Sequence, residues 1–304
     1  MMDYIYSSYM KNHKATRILA FLVVLAVFFT ACKPQESKDS EEFDPEQAYQ
    51  LVERQLAFGP RIPGSNAIRE TRAWIEGELI DYGWKAESQC FEHEGIPLCN
   101  ILAWPSEHSA SKPYVLLSAH YDTRRFADSD PISPGDPVPG ANDGASGVAV
   151  LLELARVLEP GKLSFDIELA FFDGEDQGRL DGWDWSVGAS YMAANLKHNP
   201  DAVVVVDMVG DRDLQIYIEN NSDRKLAEEI WSIAAKYGFS GFIPESKHSI
   251  IDDHLPFVQL SIPAVDVIDI EYAAWHTTAD TVDQISAESL YQVGRTLQLW
   301  LEER

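Results

Sequence analysis

The sequence predicts an α/β fold, a three-layer single domain in which helices flank a central twisted sheet that is mixed but mostly parallel. Four runs, Tyr114–Ala119, Phe165–Phe172, Val203–Val206 and Ala264–Ile268, are almost wholly apolar, as strands buried on both faces are. Segments with helical spacing of apolar residues separate them, the alternation that lays parallel strands between helical layers. A chain of 304 residues, 45% of them hydrophobic and with 8 Trp, has ample material for one such core.

Taken in order, the chain opens on a segment unlike the rest. Lys11, Lys14 and Arg17 precede an apolar run from Ile18 to Phe29, followed by Thr30, Ala31 and Cys32. That run is shorter than the roughly 20 residues needed to cross a hydrocarbon layer of about 30 Å, so residues 1–31 read as a secretory signal peptide. The small residues before Cys32 resemble a bacterial lipobox, in which the cysteine becomes the acylated first residue of the mature protein. An ordinary cleaved signal with a chance cysteine is the plainer alternative. The lipobox reading makes the protein an exported, periplasmic or cell-envelope lipoprotein, held to the membrane through Cys32. Residues 32–44 are polar, charged and aperiodic, a lipid-attached flexible tether, and the catalytic domain is expected over 45–304.

Amphipathic helices are expected over Glu46–Ala57 and Asn66–Tyr82, separated by the Gly/Pro turn Phe58–Ser65, with Gly83 stopping the second. Strands follow at Glu87–Glu92, Asn100–Trp104 and Tyr114–Ala119, then a Pro- and Asp-rich loop to Gly140. A helix over Ala145–Leu158 has Val148, Leu151, Leu152 and Ala155 at helical spacing. The strand Phe165–Phe172, the helix Ser186–Leu196, strands at Ala202–Val206 and Leu214–Glu219, and the helix Arg224–Tyr237 come next. The strand Ala264–Ile268 and the helix Glu288–Leu301 close the chain. Cys90 and Cys99 lie in two neighbouring strand-like runs joined by a turn. An oxidising compartment lets them pair as a disulfide, whereas two buried thiols are the other reading, and geometry decides.

Five metal-ligating residues, His120, Asp143, Asp176, Asp207 and His276, each stand where a strand ends or a glycine turn begins. Ligands of open α/β sheets bind beyond the carboxyl ends of strands, so these positions converge on one place. His120-Tyr121-Asp122 puts a carboxylate two residues from an imidazole, able to orient the ring. Asp143 lies in the turn Gly140-Ala-Asn-Asp-Gly-Ala-Ser-Gly147, either as a ligand or as a cap for the following helix. In Phe171-Phe172-Asp173-Gly174-Glu175-Asp176, adjacent side chains point to opposite sides, so Asp176 can hold metal while Glu175 faces a substrate. Asp207 follows four valines, a costly place for a charge without a partner. Imidazole and carboxylate at one small site suit Zn2+. The formal charge of −25, which loss of residues 1–31 makes more negative still, argues against nucleic acid as a partner.

The ordered set His-Tyr-Asp, Gly-Ala-Asn-Asp-Gly-Ala-Ser-Gly, Phe-Phe-Asp-Gly-Glu-Asp, Val-Val-Asp, Ile-Asp-Asp-His-Leu-Pro-Phe and Ala-Trp-His-Thr resembles the zinc aminopeptidase superfamily and, within it, the glutaminyl-peptide cyclotransferases. The resemblance covers Pro45 to the C-terminus. It implies an enzyme that converts N-terminal glutamine of peptides or proteins to pyroglutamate with release of ammonia. One zinc would be held by Asp143, Asp176 and His276, with Glu175, Asp207 and Asp252 as a catalytic acid network. Trp275 and either Trp183 or Trp185 would wall the substrate pocket. The alternative is a di-zinc aminopeptidase, for which the resemblance implies one zinc on His120, Asp143 and Asp207 and a second on Asp143, Asp176 and His276, with Glu175 as general base. A non-catalytic binding domain on the same scaffold is the third reading. Animal cyclotransferases carry a His near the position of Asp266.

Overall fold

The computed structural model describes residues 42–105 and 113–304. The expected signal peptide, Cys32 and most of the expected tether lie outside the described residues. Among those described, no helix is long and apolar enough to cross a membrane.

Six strands form the main sheet: β1 (Lys85–His93), β2 (Ile96–Trp104), β3 (Tyr114–His120), β4 (Asp166–Phe172), β5 (Ala202–Asp207) and β8 (Ala264–Ile268). Their spatial order is β1-β2-β4-β3-β5-β8. β1 to β2 and β2 to β4 are antiparallel, and the remaining pairs are parallel. Two short strands, β6 (Ile216–Ile218) and β7 (Phe242–Ser246), make a separate pair. β7 contains Pro244, which hides a strand from a propensity reading because proline has no N–H for a ladder. The predicted strand Leu214–Glu219 is correspondingly shorter.

The helices are α1 (Pro45–Leu56), α2 (Asn66–Asp81), α3 (Ala145–Val157), α4 (Val187–Ala194), α5 (Arg224–Tyr237), α6 (Leu255–Gln259) and α7 (Ala287–Glu303). Their starts follow capping chemistry: Asp44 accepts the N–H groups of Glu46 and Gln47, Ser65 that of Ile68, and Asp223 that of Leu226. α6 is a single short helix opened by Pro256, below the length at which periodicity is readable.

Alternation along the strands divides the core in two. Val115, Leu117, Ala119, Val204, Val206, Val265 and Val267 face a layer containing α1, α2, α3, α5 and α7. Tyr114, Leu116, Ala170, Phe172, Val203, Val205 and Ala264 face α4 and α6. The first layer extends into the expected tether. Phe43 is only 1% exposed, its N–H bonds Gln298, and its ring occupies the space over Gly294 that a Cβ would need. The folded part therefore begins before Pro45, because an aromatic ring at position 43 closes the gap between helices. Cys90 and Cys99 stand opposite each other in the β1–β2 register and are joined as a disulfide.

The parallel block fixes where a ligand can sit. β3 leads through α3, on one face, to β4 at its side; β4 leads through α4, on the other face, to β5 at the opposite side of β3. The carboxyl end of β3 is thus the topological switch point, where diverging connections leave a crevice. His120 is the last residue of β3.

Candidate metal centre

His120, Phe172 and Asp207 end three neighbouring strands, and their parity directs His120 and Asp207 toward the α4/α6 side. Val206 O and Ala119 crowd Gly147, where an added Cβ would come within 2.1 Å of that carbonyl. Only glycine lets α3 approach the sheet this closely, and that approach brings Asp143, just before α3, over the strand ends. Gly144 stands at the N-cap of α3 and no side chain caps it, so Asp143 is not spent as a helix cap. Its turn is fastened by buried Arg61, whose guanidinium donates to the carbonyls of Tyr121, Pro139 and Gly140. Asp280 supports the same turn by accepting the N–H groups of Asn142 and Asp143 and the hydroxyl of Tyr272.

Two ligand groups result, sharing Asp143: His120, Asp143 and Asp207, and Asp143, Asp176 and His276. His120 Nε2 lies 3.2 Å from Asp143 Oδ1 and 3.1 Å from Asp207 Oδ1. His276 Nε2 lies 2.9 Å from Asp176 Oδ1 and 3.8 Å from Asp143 Oδ2. Ligand atoms on a tetrahedral zinc with bonds of about 2.0–2.1 Å sit roughly 3.3 Å apart, so both groups have the spacing of a coordination shell. Asp143 Oδ2 and Asp176 Oδ2 are buried with no hydrogen-bond partner. A divalent cation between them would remove that deficit.

Electrostatics point the same way. Burial raises the Asp176 carboxyl to about 6, with Asp143 adding to the shift and His276 opposing it. Asp207 is also raised by burial, against the pull of His120. Both imidazoles are held above their ordinary value: burial opposes this, but carboxylates outweigh it, led by Asp207 at His120 and by Asp176 at His276. Asp143 is lowered, its burial outweighed by the His120 bond and the surrounding positive groups. Protons on these groups stand in for the charge a metal would bring.

Asp122 has a different part from the one expected. It lies 3.5 Å from His120 Nδ1, but that nitrogen has no hydrogen bond. Instead Asp122 accepts the N–H groups of Glu175 and Asp176 and the side-chain amide of Gln177. It therefore shapes the loop that presents the two acids. Arg124, 2% exposed, grips Asp128 with two bonds and donates to the carbonyls of Asp176 and Gly178. Nothing local in the sequence marks Arg61, Arg124 or Asp280 for these tasks, because each reaches across a long loop closure.

A cleft of about 340 Å³ opens on this centre, lined by Asp143, Glu175, Asp176, Asp207, Asp252 and His276 and walled by Trp185 and Trp275. Trp275 stacks on the His276 ring at 3.8 Å between centroids, and Trp185 lies nearly parallel to the same ring at 5.8 Å. Trp183, the other expected wall, turns away: it is 5% exposed and packs with Leu98 and Val187 behind the loop, because Leu180 to Trp183 form a tight turn. Glu175 makes no side-chain hydrogen bond among the described residues, and its carboxyl is pushed well above the usual range by burial, with Asp252, Asp176 and Asp253 adding to the shift. Asp252 is raised likewise by burial and by Asp207. Asp266 lies behind the cleft, fully buried, 3.5 Å from His254 Nδ1.

Backbone strain gathers here too. Among the described residues, Glu94, Arg179, Asp181, Ser186, Met208, His248, Ser261 and His276 are the non-glycine residues with left-handed φ, and Arg179, Met208, His248 and His276 line the cleft. Such conformations cost about 1 kcal/mol or more each and persist where the surroundings fix a functional orientation.

A mostly parallel sheet whose carboxyl ends carry two carboxylate–imidazole groups sharing one aspartate defines the zinc aminopeptidase-like fold. Residues 100–301 match peptidase family M28, and the chain belongs to that family. The glutaminyl cyclase of Porphyromonas gingivalis is 33% identical, covering 86% of this chain and 99% of that one with a TM-score of 0.81. A Zn-dependent exopeptidase from Parabacteroides distasonis is 31% identical over 87% of this chain and 100% of its own, with a TM-score of 0.78. The glutaminyl-peptide cyclotransferase of Drosophila melanogaster is 27% identical over 283 residues, 79% of this chain and 77% of that protein.

Proposed function

We propose that the chain is a glutaminyl-peptide cyclotransferase acting on the N-termini of peptides or proteins. The observation that carries this reading is Glu175: a buried carboxyl, without a side-chain hydrogen bond among the described residues, that faces the aromatic-walled cleft beside Asp143, Asp176 and His276. These three residues, one of the two ligand groups, are assigned to one zinc, and the Zn-dependent exopeptidase among the similar structures supports zinc as the metal. Bound there, the ion supplies Lewis acidity toward the γ-carbonyl of an N-terminal glutamine.

The chain's own residues do the rest. Glu175 takes a proton from the α-amine as the amine nitrogen bonds to the carbonyl carbon of the side-chain amide, and returns it to the amide nitrogen as the bond between that carbon and the amide nitrogen breaks and ammonia leaves. A carboxyl raised by burial is matched to both halves of this exchange. Asp207 and Asp252 line the same cleft, and the repulsion of Asp252 on Glu175 and of Asp207 on Asp252 opposes their ionising together. Trp185 and Trp275 hold the glutamine folded and exclude water, which favours attack by the substrate's own amine over hydrolysis.

Gln-headed and Leu-headed peptides given to the metal-loaded protein test this. Ammonia and a cyclised product from the first, with no reaction of the second, are expected; release of free N-terminal amino acids without ammonia rejects cyclisation. The second reading, a di-zinc aminopeptidase, draws on the convergence of His120 and Asp207 with Asp143. Two tightly held zincs per chain in metal analysis would favour it.

We also infer export and anchoring through a lipid on Cys32, from the leader and its small-residue flank. Radiolabelled fatty acid should enter the wild-type protein expressed in a bacterial host and be absent from Cys32→Ala; equal labelling refutes the anchor.

A further inference from the structure

We propose that Arg179 makes this site selective for peptides whose second residue, immediately after the N-terminal glutamine, is acidic. The inference rests on the cyclotransferase reading and deepens it by naming the substrate class.

The cleft is strongly polarised. Its floor gathers Asp143, Glu175, Asp176, Asp207 and Asp252, a field that suits an α-ammonium group and repels an anionic side chain. With the glutamine side chain at the floor, the rest of the peptide leaves toward solvent, which puts the next residue at the mouth. The mouth offers apolar surface from Ile251 and Trp275, 57% and 37% exposed, and one uncommitted cation. Nearby, Arg124 is held by Asp128 and Arg125 pairs with Asp181, while His248 is engaged by Glu271. Arg179 lines the cleft, is exposed, and has no carboxylate within ion-pair distance among the described residues.

Its placement is built rather than incidental. Arg179 has φ 66°, a region costly for a long side chain. The turn holds it there through an N–H bond from Arg179 to the Trp183 carbonyl, 2.8 Å. The preceding residue, Gly178, lies so close to the Trp185 ring that a Cβ there would come within 2.0 Å of it. Arg179 and the Trp185 wall are therefore parts of one rigid turn. A guanidinium there presents a planar fork to a carboxylate arriving at the mouth.

Two peptides differing only at the second residue, Gln-Glu and Gln-Lys, test the proposal by ammonia release. The wild type should prefer the glutamate peptide by about three- to tenfold in kcat/KM, the scale of a solvent-edge ion pair set against repulsion. The discrimination should reside in KM, since the contact lies away from the reacting atoms, and should shrink as ionic strength is raised from about 0.05 to about 0.5 M. Arg179→Asn, which tolerates left-handed backbone, should bring the peptides within about twofold of each other, and Arg179→Asp should reverse the order. Equal handling of the two peptides by the wild type, or an unchanged preference in Arg179→Asn, overturns the proposal while the cyclase reading stands. Ammonia from neither peptide sinks the cyclase reading and this inference with it.

Discussion

Asp143 is where the two ligand groups meet, one oxygen toward His120 and the other toward His276, and Glu175 is the acid left over. Replacing Glu175 by Gln preserves shape and removes the proton acceptor. Ammonia release is expected to fall by about 10²–10⁴-fold, the range for loss of a positioned general base, with zinc content unchanged because Glu175 belongs to neither ligand group. Activity within a few-fold of wild type would return attention to a binding role for the fold. At this scale the sequence was informative about residue types: an imidazole or carboxylate ending an apolar run is conspicuous. It could not separate Trp183 from Trp185, since two residues apart in a turn the faces depend on which carbonyl each N–H finds.

Among the elements, α3 and the β1–β2 hairpin carry the clearest consequences. α3 reaches the sheet through Gly147, so Gly147→Ala must displace either the helix or β5; about 1–3 kcal/mol of stability should be lost, the usual cost of overpacking. Zinc affinity should drop as well, since Asp143 leads into α3, and a denaturant melt with metal titration checks both. A wild-type melt in the variant would mean the contact yields freely. The disulfide joins facing strands across nine residues of sequence, and Cys99→Ser should cost about 2–3 kcal/mol through the freed unfolded chain. Its effect can reach the site, because the Cys99 N–H bonds Asp173, two residues before Glu175. Comparing melts of the protein with and without reductant measures this term; coincident curves would assign it no stabilising part. The long helices and buried strands were legible from period and caps. β7 and α6 were not, being short and interrupted by proline.

For the molecule as a whole, buried acids make stability depend on pH and metal together. Burial raises Asp253 to about 8, with His120 opposing and Asp122 and Asp207 reinforcing the shift. An acid whose folded pKa lies above its unfolded value contributes stability at low pH and loses it as pH rises through the folded value. For Asp253 the window runs from about 4 to about 8, and Asp176, raised to about 6, acts in the same direction. The chelated protein should therefore melt at a lower temperature at pH 8 than at pH 6, and zinc at about 100 times its dissociation constant should restore about 2.7 kcal/mol. A chelated melt that is flat or rising over this range would contradict the buried-charge account.

By itself the sequence determined the layered α/β architecture and the kinds of side chain the site contains, because burial period and strand-end chemistry are written locally along the chain. Only the tertiary structure decided that Asp122 and Arg124 shape the acidic loop, and that Arg61 and Asp280 hold the glycine turn. It also decided that the left-handed residues gather at one cleft. Those facts depend on register and loop closure between residues up to 138 positions apart, and no local pattern of hydrophobicity or charge encodes where such distant groups will meet.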